Sequence, residues 1–265
     1  MSASLYVYGI VAGHPGAPLG TGIDGAALRA VDAGDVAAIV HEHAGEPYGG
    51  SDDEVRRYAL EHAQVVDRLW QELRAILPMS FDVIVAAAPG EAAERRLTEW
   101  LSGSAHAMRE RLEAVRGRVE LRVDIGLDPA GAAGDDAELA SLKGEAEEAS
   151  PGVARLLRKR IARREHEIAE ARADALYPEV RRRLAGASAD IVENIRASAE
   201  PGEVLVLSAS LLVNQDAVPV VGTELRAISE QEPALRVRFY GPWPPYSFAD
   251  LPSPGADAPA GPGPA

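Results

Sequence analysis

Apolar and polar positions alternate along the chain in a way that switches period several times. Leu5 to Val11 is a short apolar run closed by Gly13, Pro15, Gly16 and Pro18, which reads as a strand followed by a loop. Ala27–Val31 and Val36–His43 flank Asp32-Ala33-Gly34-Asp35, the pattern of a hairpin. Ser51 and Glu54 then stand in capping-box spacing. Behind them Val55, Tyr58, Ala59, His62, Val65, Val66, Leu69, Leu73 and Ile76 recur at threes and fours, one stripe of a helix that Pro78 is expected to end. Phe81–Ala86 reads as a buried strand. Ala93, Leu97, Trp100, Leu101, Met108, Leu112 and Val115 mark a second long helix. Val119, Leu121, Val123 and Ile125 alternate with Glu120, Arg122 and Asp124, as in a half-buried strand.

The second half starts with a flexible connection over Pro129–Gly134. Asp135–Ala149 carries six acids and Arg155–Arg164 six bases, joined by Ser-Pro-Gly, so two antiparallel helices with facing charges are expected. Leu139 and Leu142 should pack on Leu156 and Leu157. The basic segment continues as a helix through Val153, Leu157, Ile161 and Ile168. Pro178 predicts a kink or break near Tyr177, after which the stripe resumes through Val180, Leu184, Ile191 and Ile195. Val204–Val213 is a strand, Ala217–Glu230 a helix and Leu235–Tyr240 a strand. The expected fold is α+β. It has a β-β-β-α-β domain over 1–88 and a second domain over 89–250, ferredoxin-like, with a helical hairpin inserted at 135–200. Five Pro and three Gly among Leu251–Ala265 predict a disordered tail.

Composition narrows the chemistry. The 265 residues have no cysteine, which excludes disulfides and thiol chemistry, and a net charge of −14, which disfavours nucleic acid and anionic membranes. No apolar run approaches the roughly 20 residues of a membrane span, and no secretory signal is visible, so a cytoplasmic protein is expected. Gly20-Thr21-Gly22-Ile23-Asp24-Gly25 matches G-x-G-x-x-G but lacks the strand before it and the helix after it, and reads as a plain glycine loop. His41 and His43 share one face of a strand without a third ligand, and are expected on an exposed strand face. His62 falls on an apolar stripe, as a buried core histidine does. No catalytic, cofactor or metal residue is nominated, and no enzyme activity is expected.

One segment concentrates the scarce aromatics. Phe239-Tyr240-Gly241-Pro242-Trp243-Pro244-Pro245-Tyr246-Ser247-Phe248 holds five of the chain's thirteen. Its prolines favour an extended strap, and Trp and Tyr are efficient anchors. It can seal the C-terminal sheet, offer a partner surface, or do both. Trp243, Pro244, Pro245, Tyr246 and Phe248 are the candidate binding residues.

The octapeptide Gly241–Phe248, directly after a strand, resembles the C-terminal hallmark of the gas vesicle protein F/L family. Tyr6-Val7-Tyr8-Gly9-Ile10 resembles that family's opening strand. His62 followed by Leu77-Pro78-Met79-Ser80-Phe81 resembles its H…LP-x-R-F-G-T region, with Ser80 and Asp82 replacing the usual Arg and Gly. The resemblance spans about residues 5–250. It implies a non-enzymatic, chaperone-like accessory protein or minor wall component that binds the hydrophobic shell protein, and other accessory proteins, during gas vesicle assembly. The rival expectations are a small-molecule enzyme, or a ligand-sensing ferredoxin-like module, with a cleft between domains.

Overall fold

The structure is a computed structural model, and it describes residues 4–16, 18–44, 46–88, 90–134 and 136–250. The tail expected to be disordered, 251–265, lies outside the described residues. The chain forms two compact units: residues 1–119 with 243–265, and residues 120–242.

The first unit is built on a sheet in the order β2-β3-β1-β4, with β5 also on β1. Its strands are β1 (Ser4–Ala12), β2 (Arg29–Ala33), β3 (Val36–His43), β4 (Leu77–Pro78) and β5 (Ile84–Val85), all antiparallel to their neighbours. Helix α1 (Asp52–Leu73) begins in the expected capping box, Ser51 accepting from the Glu54 amide while Glu54 accepts from that of Ser51. It closes at Arg74 in a left-handed conformation, φ 61°. Pro78 therefore does not end the helix; it belongs to β4, opposite Gly9. A bulge between Val7 and Gly9 inserts Tyr8 as an extra residue. Tyr6 and Tyr8, two apart on the strand, both face α1 and join Val65, Val66, Leu69, Ala37, Ile39 and Ile23 in one buried cluster, and the extra residue shifts the alternation so that Val11 joins them. Val7 and Ile10 point to the other side, where α2 (Ala93–Val115) packs on β1, β2 and β3. The division at 119–120 lies later than the expected 88–89 for this reason: α2 buries its stripe on the first sheet. The strand expected over Phe81–Ala86 shrinks to β5 because Asp82 turns the chain at φ 71°.

The second unit follows the order β6 (Arg118–Leu127), three helices, β7 (Asp190–Glu193), β8 (Val204–Asn214), α6 (Val218–Gln231), β9 (Leu235–Trp243). Its sheet runs β7-β8-β6-β9. The connection expected to be flexible holds a short helix, α3 (Pro129–Ala132), capped by Asp128. α4 (Ala137–Glu148) and α5 (Pro151–Gly186) form the hairpin. The facing charges meet: Lys143 lies 2.9 Å from Glu165, and Arg164 3.3 Å from Asp136. The apolar seam is Leu139, Leu142 and Ile161 with Leu157, Ala146 and Ile168 beside them. Leu156, expected in that seam, is instead 68% exposed.

α5 continues through Pro178, so the break expected near Tyr177 does not occur. The carbonyl that loses its partner belongs to Asp174, which is exposed, so water can satisfy it. Ala173, Val180 and Leu184 are buried on both sides of the proline, and α5 packs on β8. The helix ends at Gly186. Ile191, expected on its stripe, lies instead on β7, paired with Leu211, and Ile195 lies beyond that strand.

Apolar packing sets the hairpin's register, since exposed ion pairs contribute only about 0–1 kcal/mol each. Leu142→Ala is therefore expected to cost about 2–4 kcal/mol in denaturant unfolding, and Lys143→Ala less than about 1 kcal/mol.

Candidate partner-binding site

The first half of the strap, Phe239–Trp243, is the end of β9. Pro244 and Pro245 are buried, and Tyr246–Phe248 closes one tight turn. The turn is held by Tyr246 N–H to Pro244 O at 2.8 Å and Phe248 N–H to Pro245 O at 3.1 Å. Phe248 is 3% exposed and Ala249 6%, and the turn lies against β4. Trp243 and Tyr246 remain 44% and 37% exposed. The five candidate residues thus divide. Two prolines and Phe248 fasten the strap to the first unit, while the two rings expected to be its anchors present much of their area outward. The expected extended conformation holds only as far as Pro245.

A second constellation was not anticipated as a whole. Beneath α1, Tyr6 Oη lies 2.9 Å from His62 Nδ1, and His62 Nε2 lies 3.0 Å from the Met79 carbonyl. A carbonyl only accepts, so His62 carries its proton on Nε2, and Nδ1 accepts from Tyr6. The Tyr6 oxygen in turn accepts from the Asp82 amide at 3.0 Å. Tyr8 repeats the pattern: its oxygen accepts from the Ile23 amide at 2.9 Å, and its hydroxyl donates to His41 Nδ1 at 3.0 Å. His41 Nε2 then donates to Tyr48 Oη at 3.2 Å. The rings also stack, Tyr6 on His41 with centroids 5.0 Å apart and Tyr8 on His62 at 5.3 Å.

His62 is the buried core histidine expected from its stripe. His41 corrects the expectation of an exposed strand face: it is 1% exposed, because Tyr6, Tyr8 and Tyr48 enclose it. His43 shares its face, with ring centroids 5.8 Å apart, and is tied to the Glu46 carbonyl at 2.6 Å. His14 pairs with Asp32 instead. Among the described residues no three His, Asp or Glu side chains gather as a metal-binding group. Burial holds both His41 and His62 neutral, pushing each down to about 4, with His43 adding to the effect on His41. Burial also raises Tyr6 and Tyr8 and pushes Tyr48 up to about 12.

The glycine loop serves this network. A side chain at Gly22 would place its Cβ 2.2 Å from the Tyr8 hydroxyl oxygen. Ile23–Gly25 is a single tight turn, not the start of a long helix. Asp24 and Glu61 flank it, both bonded by Arg57 at 2.7 Å. Asp82, where the family pattern has glycine, adopts the left-handed region that glycine favours. Its carboxylate accepts from the amide of Tyr48, distant in sequence, at 3.1 Å, a bond that glycine cannot make.

Two outcomes follow from this geometry. A histidine with an unfolded pKa near 6.5 and a folded one near 4 binds protons more readily when unfolded. Stability is therefore full above about pH 6.5 and is lost as pH falls toward about 4, by at most about 3 kcal/mol per histidine. Urea midpoints measured from pH 7.5 to 5 should fall steadily, and a flat profile would contradict the assignment. Asp82→Gly should change stability by less than about 1 kcal/mol, whereas Asp82→Ala should cost about 1–2 kcal/mol.

The comparisons with known proteins agree with the architecture. Among the described residues no helix is long and apolar enough to cross a membrane. The chain overlays the crystal structure of the gas vesicle protein GvpF from Anabaena sp. PCC7120 with a TM-score of 0.65 at 20% identity, covering 95% of this chain and 98% of that one. It overlays GvpF from Microcystis aeruginosa with a TM-score of 0.66 at 18% identity, covering 94% and 100%. Gas vesicle protein L2 of Halobacterium salinarum is 31% identical over 263 residues, 94% of this chain and 92% of that protein. Gas vesicle protein L of Haloferax mediterranei is 28% identical over 242 residues, 86% of this chain and 72% of that protein. The family model described as gas vesicle synthesis protein GvpL/GvpF matches residues 4–250, and the chain belongs to that family.

Proposed function

We propose that this chain is a non-enzymatic accessory protein of gas vesicle formation, which binds the hydrophobic shell protein through the strap and keeps it dispersed during assembly. The observation that carries this reading is the division of the strap: Pro244, Pro245 and Phe248 are buried, while the rings of Trp243 and Tyr246 are presented outward. A surface of that kind is preorganised. Its backbone is already ordered, so docking an apolar partner loses little further entropy, and Trp and Tyr supply area with few rotors. The net charge of −14 supports the same role, since a strongly acidic carrier keeps a complex with an aggregation-prone partner in solution. Other gas vesicle accessory proteins are further partners in this reading, and its site is the cytoplasm, on growing gas vesicles. For the second unit we read the strand order β7-β8-β6-β9, with helices between β6 and β7 and between β8 and β9, as ferredoxin-like with the hairpin α4–α5 as an insertion.

The test separates docking from stability. Trp243→Ala and Tyr246→Ala are expected to lower unfolding free energy by no more than about 1.5 kcal/mol each, since half-exposed rings bury little area. Both should reduce capture of purified shell protein in a pull-down. Phe248→Ala is expected to cost about 3–5 kcal/mol. Undiminished capture by both ring variants would remove the strap as the binding surface.

A further inference from the structure

The outward side of α5 carries charge in blocks. Val153, Leu156, Arg160, Arg163, Glu167 and Glu170 recur at threes and fours and therefore line one stripe of the helix, which runs apolar, then basic, then acidic. The four charged side chains are each more than half exposed. Their bonds within the chain are weak ones. Arg160 reaches Glu138 at 3.3 Å, Arg163 lies 3.7 Å from Glu167, and Glu170 lies 3.5 Å from His166. Long, exposed contacts of this kind leave the groups available to a better partner. Val153 and Leu156 are 49% and 68% exposed among the described residues.

We infer that this stripe is a self-complementary docking surface whose occupant is α5 of a second copy of the same chain, lying antiparallel. A two-fold axis passing between Arg163 and Glu167 sets the basic block of each helix against the acidic block of the other. Arg163 then faces Glu167 and Arg160 faces Glu170, twice over. The same axis lays Val153 and Leu156 over the turn that holds Asp174 and Tyr177. Such an interface is isologous and closes at two copies. The occupant is argued from charge: an apolar client or a polyanion would satisfy one block and repel or strand the other, whereas a second copy satisfies both.

The experiment is sedimentation equilibrium of the full chain at micromolar to sub-millimolar concentration, in low salt and in 1 M salt, where screening acts beyond about 3 Å. A salt-sensitive monomer–dimer equilibrium is expected. Arg160→Glu with Arg163→Glu, and separately Glu167→Arg with Glu170→Arg, should each weaken self-association at least about tenfold, since like blocks then face each other. An equimolar mixture of the two variants should associate again, as should the variant carrying all four substitutions, whose net charge stays at −14. Circular dichroism on each variant checks that α5 remains helical. A chain that is monomeric throughout overturns the inference. So does a dimer indifferent to both reversals, or two dissociated variants that neither the mixture nor the fourfold swap restores.

Discussion

Two buried tyrosine hydroxyls constrain the first unit more than any other feature. Each sits at the centre of a sheet covered on its face by α1 and is fully buried. Each must find both a donor and an acceptor, because a hydroxyl stranded in the core costs about 1–3 kcal/mol. Much of the local architecture answers that demand. Tyr6 and Tyr8 share a face by simple alternation, and the bulge beyond Val7 shifts the phase so that Val11 follows them into the same cluster. α1 delivers His62 and β3 delivers His41 as acceptors, while the turns at Ile23 and Asp82 deliver backbone amides. Gly22 is bare because a side chain would strike the Tyr8 hydroxyl.

The second unit is held differently. Its buried positions are mostly aliphatic, with Glu120, Ser208 and Ser210 among them, and other polar groups work in pairs such as Arg183 with Glu224 and Arg238 with Glu203. Tyr177 and Arg181 both bond Glu193, fastening the short strand β7 to α5. Ion pairs of this exposure add orientation more than stability. The aliphatic stripe of α5 on β8 therefore matters more, and it explains how a proline is carried inside the helix without breaking it.

Elements with a sustained period were legible in the sequence. α1, α2, β6 and β8 each announced themselves through caps or strict repetition, and their long buried faces left one solution. The misreadings fall where a tertiary contact overrides a local rule. Pro178 should break a helix, but its cost is spread over packing on both sides. Ile191 fits a helical stripe by spacing, yet Gly186 ends the helix and four residues of edge strand follow. His41 looked exposed because alternation along β3 cannot reveal that three tyrosines arrive from elsewhere. Of the strap, the concentration of aromatics and prolines was legible, since it is local in the sequence. Which rings turn outward was not, because that depends on how Pro244 and Pro245 meet β4.

The chain leaves the first unit at residues 119–120 and returns to it at 242–243, so the second unit is an insertion within the first. During synthesis this imposes an order. The sheet of the first unit emerges early, but the residues that cover β4, Pro244 to Phe248, are among the last described residues to leave the ribosome. The second unit is contiguous and can complete its core while the first still waits. A nascent chain stopped before Pro244 would carry a finished insertion inside an unsealed host, with the apolar floor beneath Phe248 open to solvent. Completion of the first unit thus waits until the whole of the second has been made.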